Sequence, residues 1–303
     1  MKAALLYAPG DLRIEDVPKP HDGVVAQVEV ALTDGTDFKT YRRGHPVLLR
    51  ETPARFGHEF CCIVDGRRFV AANSAPCGEC DGCARGEQCR ALEFLSGAYA
   101  DWIAIPERIA AVNMHPVPAV LAPEVAAMVE PLACCLRGVD RAGVRAGDRV
   151  AILGSGPIGL MLAACVADAG GWPVLVRPHE LAETFGAEVE DAANADVVIE
   201  AAGTETAWAE AVSLVRAGGT VLFFGGLARD ARPSVDAYRA HYEELTMRGS
   251  FHHTPATVRA ALAFLASGAY PWERLITHRL LLADLPAFFA HPPADLLKAA
   301  VVP

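Results

Sequence analysis

Four cysteines stand close enough along the chain to act on one ion. Cys77, Cys80, Cys83 and Cys89 fall within thirteen positions, and four thiolates at short spacing suit a closed, tetrahedral zinc site. With every coordination position filled by sulfur, such a zinc is structural rather than catalytic. A zinc ribbon that reads nucleic acid uses similar spacing, but this chain is acidic and has no basic cluster. The second candidate is Gly57-His58-Glu59, an imidazole and a carboxylate side by side behind a glycine. Alone, such a pair is more often a surface or hydrogen-bonded pair than a metal site.

The third candidate is Gly154-Ser155-Gly156-Pro157-Ile158-Gly159, a G-x-G-x-x-G pattern. It follows the strand-like run Arg149 to Leu153 and opens the helical run Ile158 to Ala169, the context in which this pattern binds a dinucleotide. The glycines allow a tight turn and bring the backbone close to a pyrophosphate at the positive end of the helix. An acidic residue at the end of the next strand would accept the ribose hydroxyls of NAD. Here Val174-Leu175-Val176 ends in Arg177. An arginine there suits a 2′-phosphate, so NADP is favoured over NAD; nearby Glu180 and a merely solvated Arg177 are the competing readings.

Other reactive residues read as bland. Cys61 and Cys62 lie in a strand and point to opposite faces, while Cys134, Cys135 and Cys165 sit in apolar helical runs, so all five are expected in the core. His252 and His253 are adjacent, which rarely lets two side chains in a strand ligate one ion, and are read as loop or cleft residues. Trp102 and Phe94 are read as packing or pocket-lining residues.

The elements that must position these groups come in two styles. At 303 residues the chain is long for one core and suggests two domains. Lys2 to Tyr7, Leu12 to Val17, Val24 to Leu32, Cys61 to Val64, Arg68 to Ala72 and Gly97 to Ile105 read as short strands of a small barrel. Past Pro123 the pattern changes. Helical spacing over Glu124 to Val139, Ile158 to Ala169 and Thr206 to Arg216 alternates with strands at Arg149 to Leu153, Val174 to Val176, Asp196 to Glu200 and Thr220 to Phe224. That alternation marks a parallel α/β sheet. Short strands return after Gly268 and end in Lys298 to Val302. The expected organisation is a β-rich domain over 1–133 and 269–303, interrupted by an α/β domain over 134–268.

Composition narrows the partners. The net charge of −10 argues against nucleic acid or an anionic membrane, and no apolar run reaches membrane-spanning length. The opening Met1 to Tyr7 runs into Ala8-Pro9-Gly10 and lacks a signal-peptide core. Nine cysteines then fit a reducing compartment, so a cytoplasmic location is expected.

Taken together, these residues resemble the zinc-dependent branch of the medium-chain dehydrogenase/reductase family, which includes alcohol, sorbitol, glucose and threonine dehydrogenases. Thr33-Asp34-Gly35-Thr36-Asp37 resembles the family's C-G-T-D, Gly57-His58-Glu59 its G-H-E, and Cys77 to Cys89 its structural zinc lobe. Gly97-Ala98-Tyr99-Ala100-Asp101 resembles G-x-[FY]-A-E, and Glu130-Pro131-Leu132-Ala133 the E-P-L-A of polyol and sugar members. The resemblance spans nearly the whole chain. It implies a GroES-like catalytic domain around a Rossmann domain with a doubly wound parallel sheet. It further implies a catalytic zinc that polarises a substrate hydroxyl, hydride transfer to a nicotinamide, and a small-molecule alcohol, polyol or sugar as substrate. A homodimer or homotetramer is expected.

By the same resemblance, Asp34, His58, Glu59 and Glu130 are the expected ligands of the catalytic zinc, with either glutamate able to complete the set. Thr36, Lys39 and Glu59 are the expected catalytic side chains, Thr36 starting the proton relay. Asp34 replaces the family's first cysteine, as it does in part of the glucose dehydrogenase branch. A carboxylate is a harder donor than a thiolate, so metal affinity and preference change. Lys39 replaces the relay histidine of many relatives; it either passes protons, given a depressed pKa, or contacts a cofactor phosphate. The segments after Glu59 and after Arg177 are shorter than in relatives. Two further readings are a threonine-type amino-alcohol dehydrogenase and a cofactor-binding protein of this fold without catalytic metal.

Overall fold

The computed structural model describes residues 1–44 and 52–303. Two compact units divide it: Met1–Pro131 with Thr254–Pro303, and Leu132–His253.

In the first unit the strand Val24–Leu32 is central. Its alternation buries Ala26, Val28 and Val30 while Gln27 faces out, as a half-buried strand requires. Glu59–Val64 pairs antiparallel with it on one side, and Trp102–Ile105 and Lys298–Val302 pair antiparallel on the other, against its first and its last residues. Arg67–Ala71 and Met114–Pro116 extend the sheet beyond Glu59–Val64, and Ile276–Leu281 runs parallel to Lys298–Val302. A smaller sheet joins Asp11–Asp16, Lys2–Ala8 and Ala54–Arg55. Leu6, Val28, Phe60, Tyr99, Ile103 and Phe289 fill the core beneath them. Leu32 lies opposite both Glu59 and Ala300, so three strands meet at one corner.

Directly after that corner the chain forms the helix Gly35–Arg43, in a stretch to which the sequence pattern assigns no element. The reason is a capping box. Asp34 Oδ1 accepts from Asp37 N at 2.7 Å, and Asp37 Oδ2 accepts from Asp34 N at 3.3 Å. These bonds satisfy two backbone donors that a short helix would otherwise leave open.

The second unit holds five parallel strands in the order Trp172–Leu175, Arg149–Leu153, Ala195–Glu200, Val215–Phe223, Thr246–Gly249. A doubly wound sheet usually has a further strand beyond the second. Here only Glu188 remains of it, in an isolated parallel bridge to Val174, and the intervening helix is reduced to the 3₁₀ turn Glu183–Phe185. The helix expected over Glu124 to Val139 is split into Pro123–Ala126 and Val129–Ala142. Pro131 explains the break, because it has no N–H to offer the Ala127 carbonyl one turn back. No helix among the described residues is long and apolar enough to cross a membrane.

Candidate active site

The cysteine lobe is built by a local chain reversal around the short helix Asp81–Ala84. Its sulfurs lie 3.9 Å (Cys77 to Cys83), 3.6 Å (Cys80 to Cys83), 3.9 Å (Cys80 to Cys89) and 3.5 Å (Cys77 to Cys89) apart. Four sulfurs each about 2.3 Å from one tetrahedral zinc stand about 3.8 Å from one another. The donor set therefore fits the ion in type, number and spacing. Backbone amides of Arg90 and Cys83 hold the Cys80 thiol down at about 6, and those of Glu79 and Cys80 lower Cys77. Amides aimed at sulfur favour the thiolate, which is the form that ligates.

His58 sits between Gly57 and the strand Glu59–Val64, with its side chain 6% exposed. Gly57 has φ +86, and a Cβ there would come within 2.6 Å of the Tyr99 ring. Only glycine fits, so the Gly57 backbone sets where His58 points. His58 Nδ1 lies 3.3 Å from Asp37 Oδ1, and Nε2 lies 3.8 Å from Asp34 Oδ2. The longer distance is no hydrogen bond, yet two donors each about 2.0–2.2 Å from one ion can span it. Asp34 divides its work: Oδ1 caps the helix and Oδ2 faces His58.

Glu59 and Glu130 approach the same histidine, the ligand atoms of all three lying within 4.8 Å of one another. His58, Asp34 and Asp37 form a second such group. One imidazole among carboxylates is a donor set that zinc accepts, harder than the cysteine lobe. Burial opposes charge on His58, but Asp34 and Asp37 outweigh it and raise its pKa well above the ordinary value. Burial also opposes charge on Asp34; His58, Lys298 and the amides of Asp37 and Thr36 overcome it and keep that carboxyl below its usual range.

Two residues that the sequence reading left without a role complete this region. Asp37 is 2% exposed and accepts from the Tyr99 hydroxyl, which also lies 3.0 Å from the Leu32 carbonyl oxygen. A carboxylate on Nδ1 fixes the tautomer and leaves Nε2 for a metal. Its signal was the last letter of Gly35-Thr36-Asp37. The other is Lys298, 1% exposed, whose Nζ lies 2.8 and 2.6 Å from the Glu59 oxygens. Its signal was a lone lysine opening an apolar strand. Thr36 and Lys39, three residues apart in the helix Gly35–Arg43, share a face and are half-buried.

In the second unit Gly154 closes the first strand and Gly156 caps the helix Pro157–Asp168, with Pro157 in its first turn. A Cβ at Gly159 would come within 1.8 Å of the Gly154 carbonyl oxygen, so helix and loop approach only because that side chain is absent. Ser155 and Ile158 complete the loop, whose helix start offers backbone N–H groups to an anion. Arg177 follows the strand Trp172–Leu175; its side chain is 65% exposed and lies 3.3 Å from Glu210. Cys61, Cys62, Cys135 and Cys165 are buried, and burial pushes the Cys61 thiol up to about 12. His252 and His253 end the second unit, where Arg137 donates to the Phe251 carbonyl at 3.0 Å.

Residues 157–267 match the family profile described as zinc-binding dehydrogenase. A D-altritol 5-dehydrogenase of Agrobacterium fabrum is 30% identical over 250 residues, covering 76% of this chain and 74% of that protein. An L-galactonate-5-dehydrogenase of Escherichia coli is 28% identical over 89% of this chain and 88% of its own. Among solved structures, a Sinorhizobium meliloti protein described as a zinc-binding dehydrogenase bound to NADP superposes with a TM-score of 0.88 at 30% identity, over 100% of this chain and 99% of that one. With a β-rich unit carrying the cysteine lobe and His58, a parallel α/β unit carrying the glycine loop, and relatives matched over most of their length, the chain belongs to the zinc-dependent medium-chain dehydrogenase/reductase family, with its GroES-like and Rossmann folds.

Proposed function

We propose that the chain moves a hydride between a secondary alcohol of a polyol or sugar and a nicotinamide dinucleotide, with NADP favoured over NAD. The observation that carries this reading is the buried group around His58, where a fixed imidazole meets Asp34 and two glutamates. The substrate class draws support from relatives named as altritol, galactonate, arabinitol and sorbitol dehydrogenases. Zinc held by His58, Asp34 and a buried glutamate would supply Lewis-acid polarisation of the substrate hydroxyl. The remaining work falls to side chains of this chain. Asp37 keeps the His58 ring oriented, and Thr36 takes the proton from the substrate hydroxyl toward Lys39 and solvent. The Gly154–Gly159 backbone holds the pyrophosphate, and Arg177 exchanges its long contact with Glu210 for the 2′-phosphate. The cysteine lobe would hold a second, structural zinc. A cytoplasmic homodimer or homotetramer belongs to the same reading.

The test is a steady-state screen of polyols, aldoses and threonine with NAD and with NADP, on protein carrying two zinc ions per chain. Turnover of a polyol or aldose, faster with NADP, is the expected result. No turnover with any of them in zinc-replete protein sinks the reading; turnover of threonine alone moves the substrate to amino alcohols. Arg177→Asp is expected to reverse the cofactor preference, lowering kcat/KM for NADP about 10-fold or more, the loss of a charge-assisted phosphate contact. An unchanged preference removes Arg177 from the cofactor site.

A further inference from the structure

The segment that leaves the last parallel strand is held by two arginines of one helix, all within the second unit. Arg137 and Arg141 stand four apart in the helix Val129–Ala142 and so share a face. Nη1 of Arg137 lies 3.0, 3.4 and 3.3 Å from the carbonyl oxygens of Phe251, His252 and His253. Arg141 donates to the Gly249 carbonyl through Nε at 3.3 Å and Nη2 at 3.2 Å, and Arg248 donates to the Arg141 carbonyl at 3.1 Å. Arg137 is 9% exposed. A buried guanidinium stays charged and must be met by acceptors, and three consecutive peptide oxygens meet this one.

Those oxygens would not converge in an extended chain, whose pleat turns successive carbonyls in opposite directions. His252 makes the convergence possible: its φ is +73, in the left-handed region that residues other than glycine rarely adopt. Such backbone persists only where the surroundings over-determine it, and it collects at active sites and ligand clamps. The place fits a ligand. Thr246–Gly249 runs parallel to Arg149–Leu153, so the segment leaves the sheet at the same edge as the glycine loop. Ligands of such sheets bind outside the carboxyl ends, and a dinucleotide crosses the point where the strand order reverses. That point is Arg149–Leu153, between Trp172–Leu175 and Ala195–Glu200. With the 2′-phosphate end beside Arg177, the nicotinamide end lies over the other strands, toward Thr246–Gly249. Gly138, next to Arg137, brings the helix close on that side: a Cβ there would come within 2.9 Å of the Phe224 ring.

We infer that Arg137 is a positioning residue for the nicotinamide half of the dinucleotide, holding the Phe251–His253 backbone in the conformation that bounds that half of the crevice. The inference rests on the dinucleotide reading proposed above. Arg137 acts through the peptide carbonyls it gathers.

The experiment titrates the full, zinc-replete chain by calorimetry with NADP and with 2′-phospho-ADP-ribose, which lacks the nicotinamide ring. If NAD proves the preferred cofactor, NAD and ADP-ribose serve in the same way. A wild-type chain that binds none of these defeats the dinucleotide reading, and this inference falls with it. Given wild-type binding, Arg137→Met is expected to weaken NADP about 10-fold or more, the scale of a hydrogen bond to a charged group. The fragment should stay within about 2-fold, as an independent site does. Equal loss of both ligands, or loss of neither, overturns the inference while leaving the dinucleotide reading intact. Glycine adopts positive φ without strain, so adding His252→Gly to Arg137→Met should recover part of the lost NADP affinity and leave the fragment unchanged. A double variant no better than Arg137→Met overturns the claim that the arginine works through backbone conformation. Should Arg137→Met fail to fold, Arg137→Lys decides by the same comparison, since it keeps the charge on a shorter arm without the guanidinium fork.

Discussion

In the cysteine lobe every donor comes from one stretch of thirteen residues, every donor is sulfur, and the turn around Asp81–Ala84 is enough to gather them. Around His58 the donors come from the cap of one helix, the start of one strand and the start of a second helix, with a lysine more than two hundred residues further on holding one of them. The lobe needs little of the fold. The His58 group needs most of the first unit, since the corner where Leu32, Glu59 and Ala300 meet is what brings its parts together. A local, soft, coordinatively closed site suits a zinc that holds chain segments; a non-local set of one imidazole and several carboxylates suits a zinc that meets a substrate.

The sharpest way to break this comparison is to empty each site alone. His58→Ala is expected to lose the second zinc and reduce turnover by at least about 1000-fold, the scale of removing a Lewis acid worth several kcal/mol. The lobe zinc stays, so the chain still carries one ion. Cys80→Ser is expected to do the converse, releasing the lobe zinc and lowering the thermal midpoint while the second zinc binds within a few-fold of wild type. Zinc analysis with turnover on both variants checks the pair. If either substitution empties both sites, the two are not independent and the contrast fails.

A smaller effect separates a ligand from the group that aims it. Asp37 lies 3.3 Å from His58 Nδ1 and takes the Tyr99 hydroxyl on its other oxygen. Asp37→Asn is expected to weaken the second zinc about 10- to 100-fold, as loss of an outer-shell partner does, with the zinc count unchanged at saturating metal. Tyr99→Phe should follow in the same direction by less, since Asp37 keeps its contact with the ring nitrogen. Wild-type affinity in Asp37→Asn would show that the His58 ring is held by packing alone.

What could be read from the chain divides along the same line. The lobe needed only spacing, and the strand Val24–Leu32 only alternation; both are local signals, and the structure has them where the sequence puts them. The parallel sheet was legible because strands such as Arg149–Leu153 are followed directly by helices. The helix Gly35–Arg43 was missed because its stability comes from Asp34 and Asp37 capping each other, which composition and periodicity do not report. The split ahead of Val129–Ala142 was missed although Pro131 marks it. His58 stood out locally beside Glu59, whereas Asp34 and Glu130 were nominated by resemblance, since nothing local in either announces a metal. Lys298 and its pairing with Glu59 were beyond reach: a lysine in an apolar strand reads as an exposed edge until the strand is seen between two others.

The smallest effect concerns Asp34, where the two kinds of work meet in one side chain. Its Oδ1 accepts from Asp37 N at 2.7 Å, and its Oδ2 faces His58 Nε2. Asparagine keeps an oxygen for the cap but loses the negative charge, whereas alanine loses both. Asp34→Asn and Asp34→Ala should therefore both weaken the second zinc, yet differ in the stability of the zinc-free site by about 0.5–2 kcal/mol, the usual worth of an N-cap. The measurement is denaturant unfolding of both variants with only the cysteine lobe loaded, which removes metal binding from the comparison. Asp34→Cys sharpens it further: a thiolate restores a strong donor without restoring the cap, so zinc affinity should return while stability stays near that of the alanine variant. Equal stability of the asparagine and alanine variants would mean that the helix Gly35–Arg43 does not depend on Asp34. The aspartate would then serve this position through His58 alone.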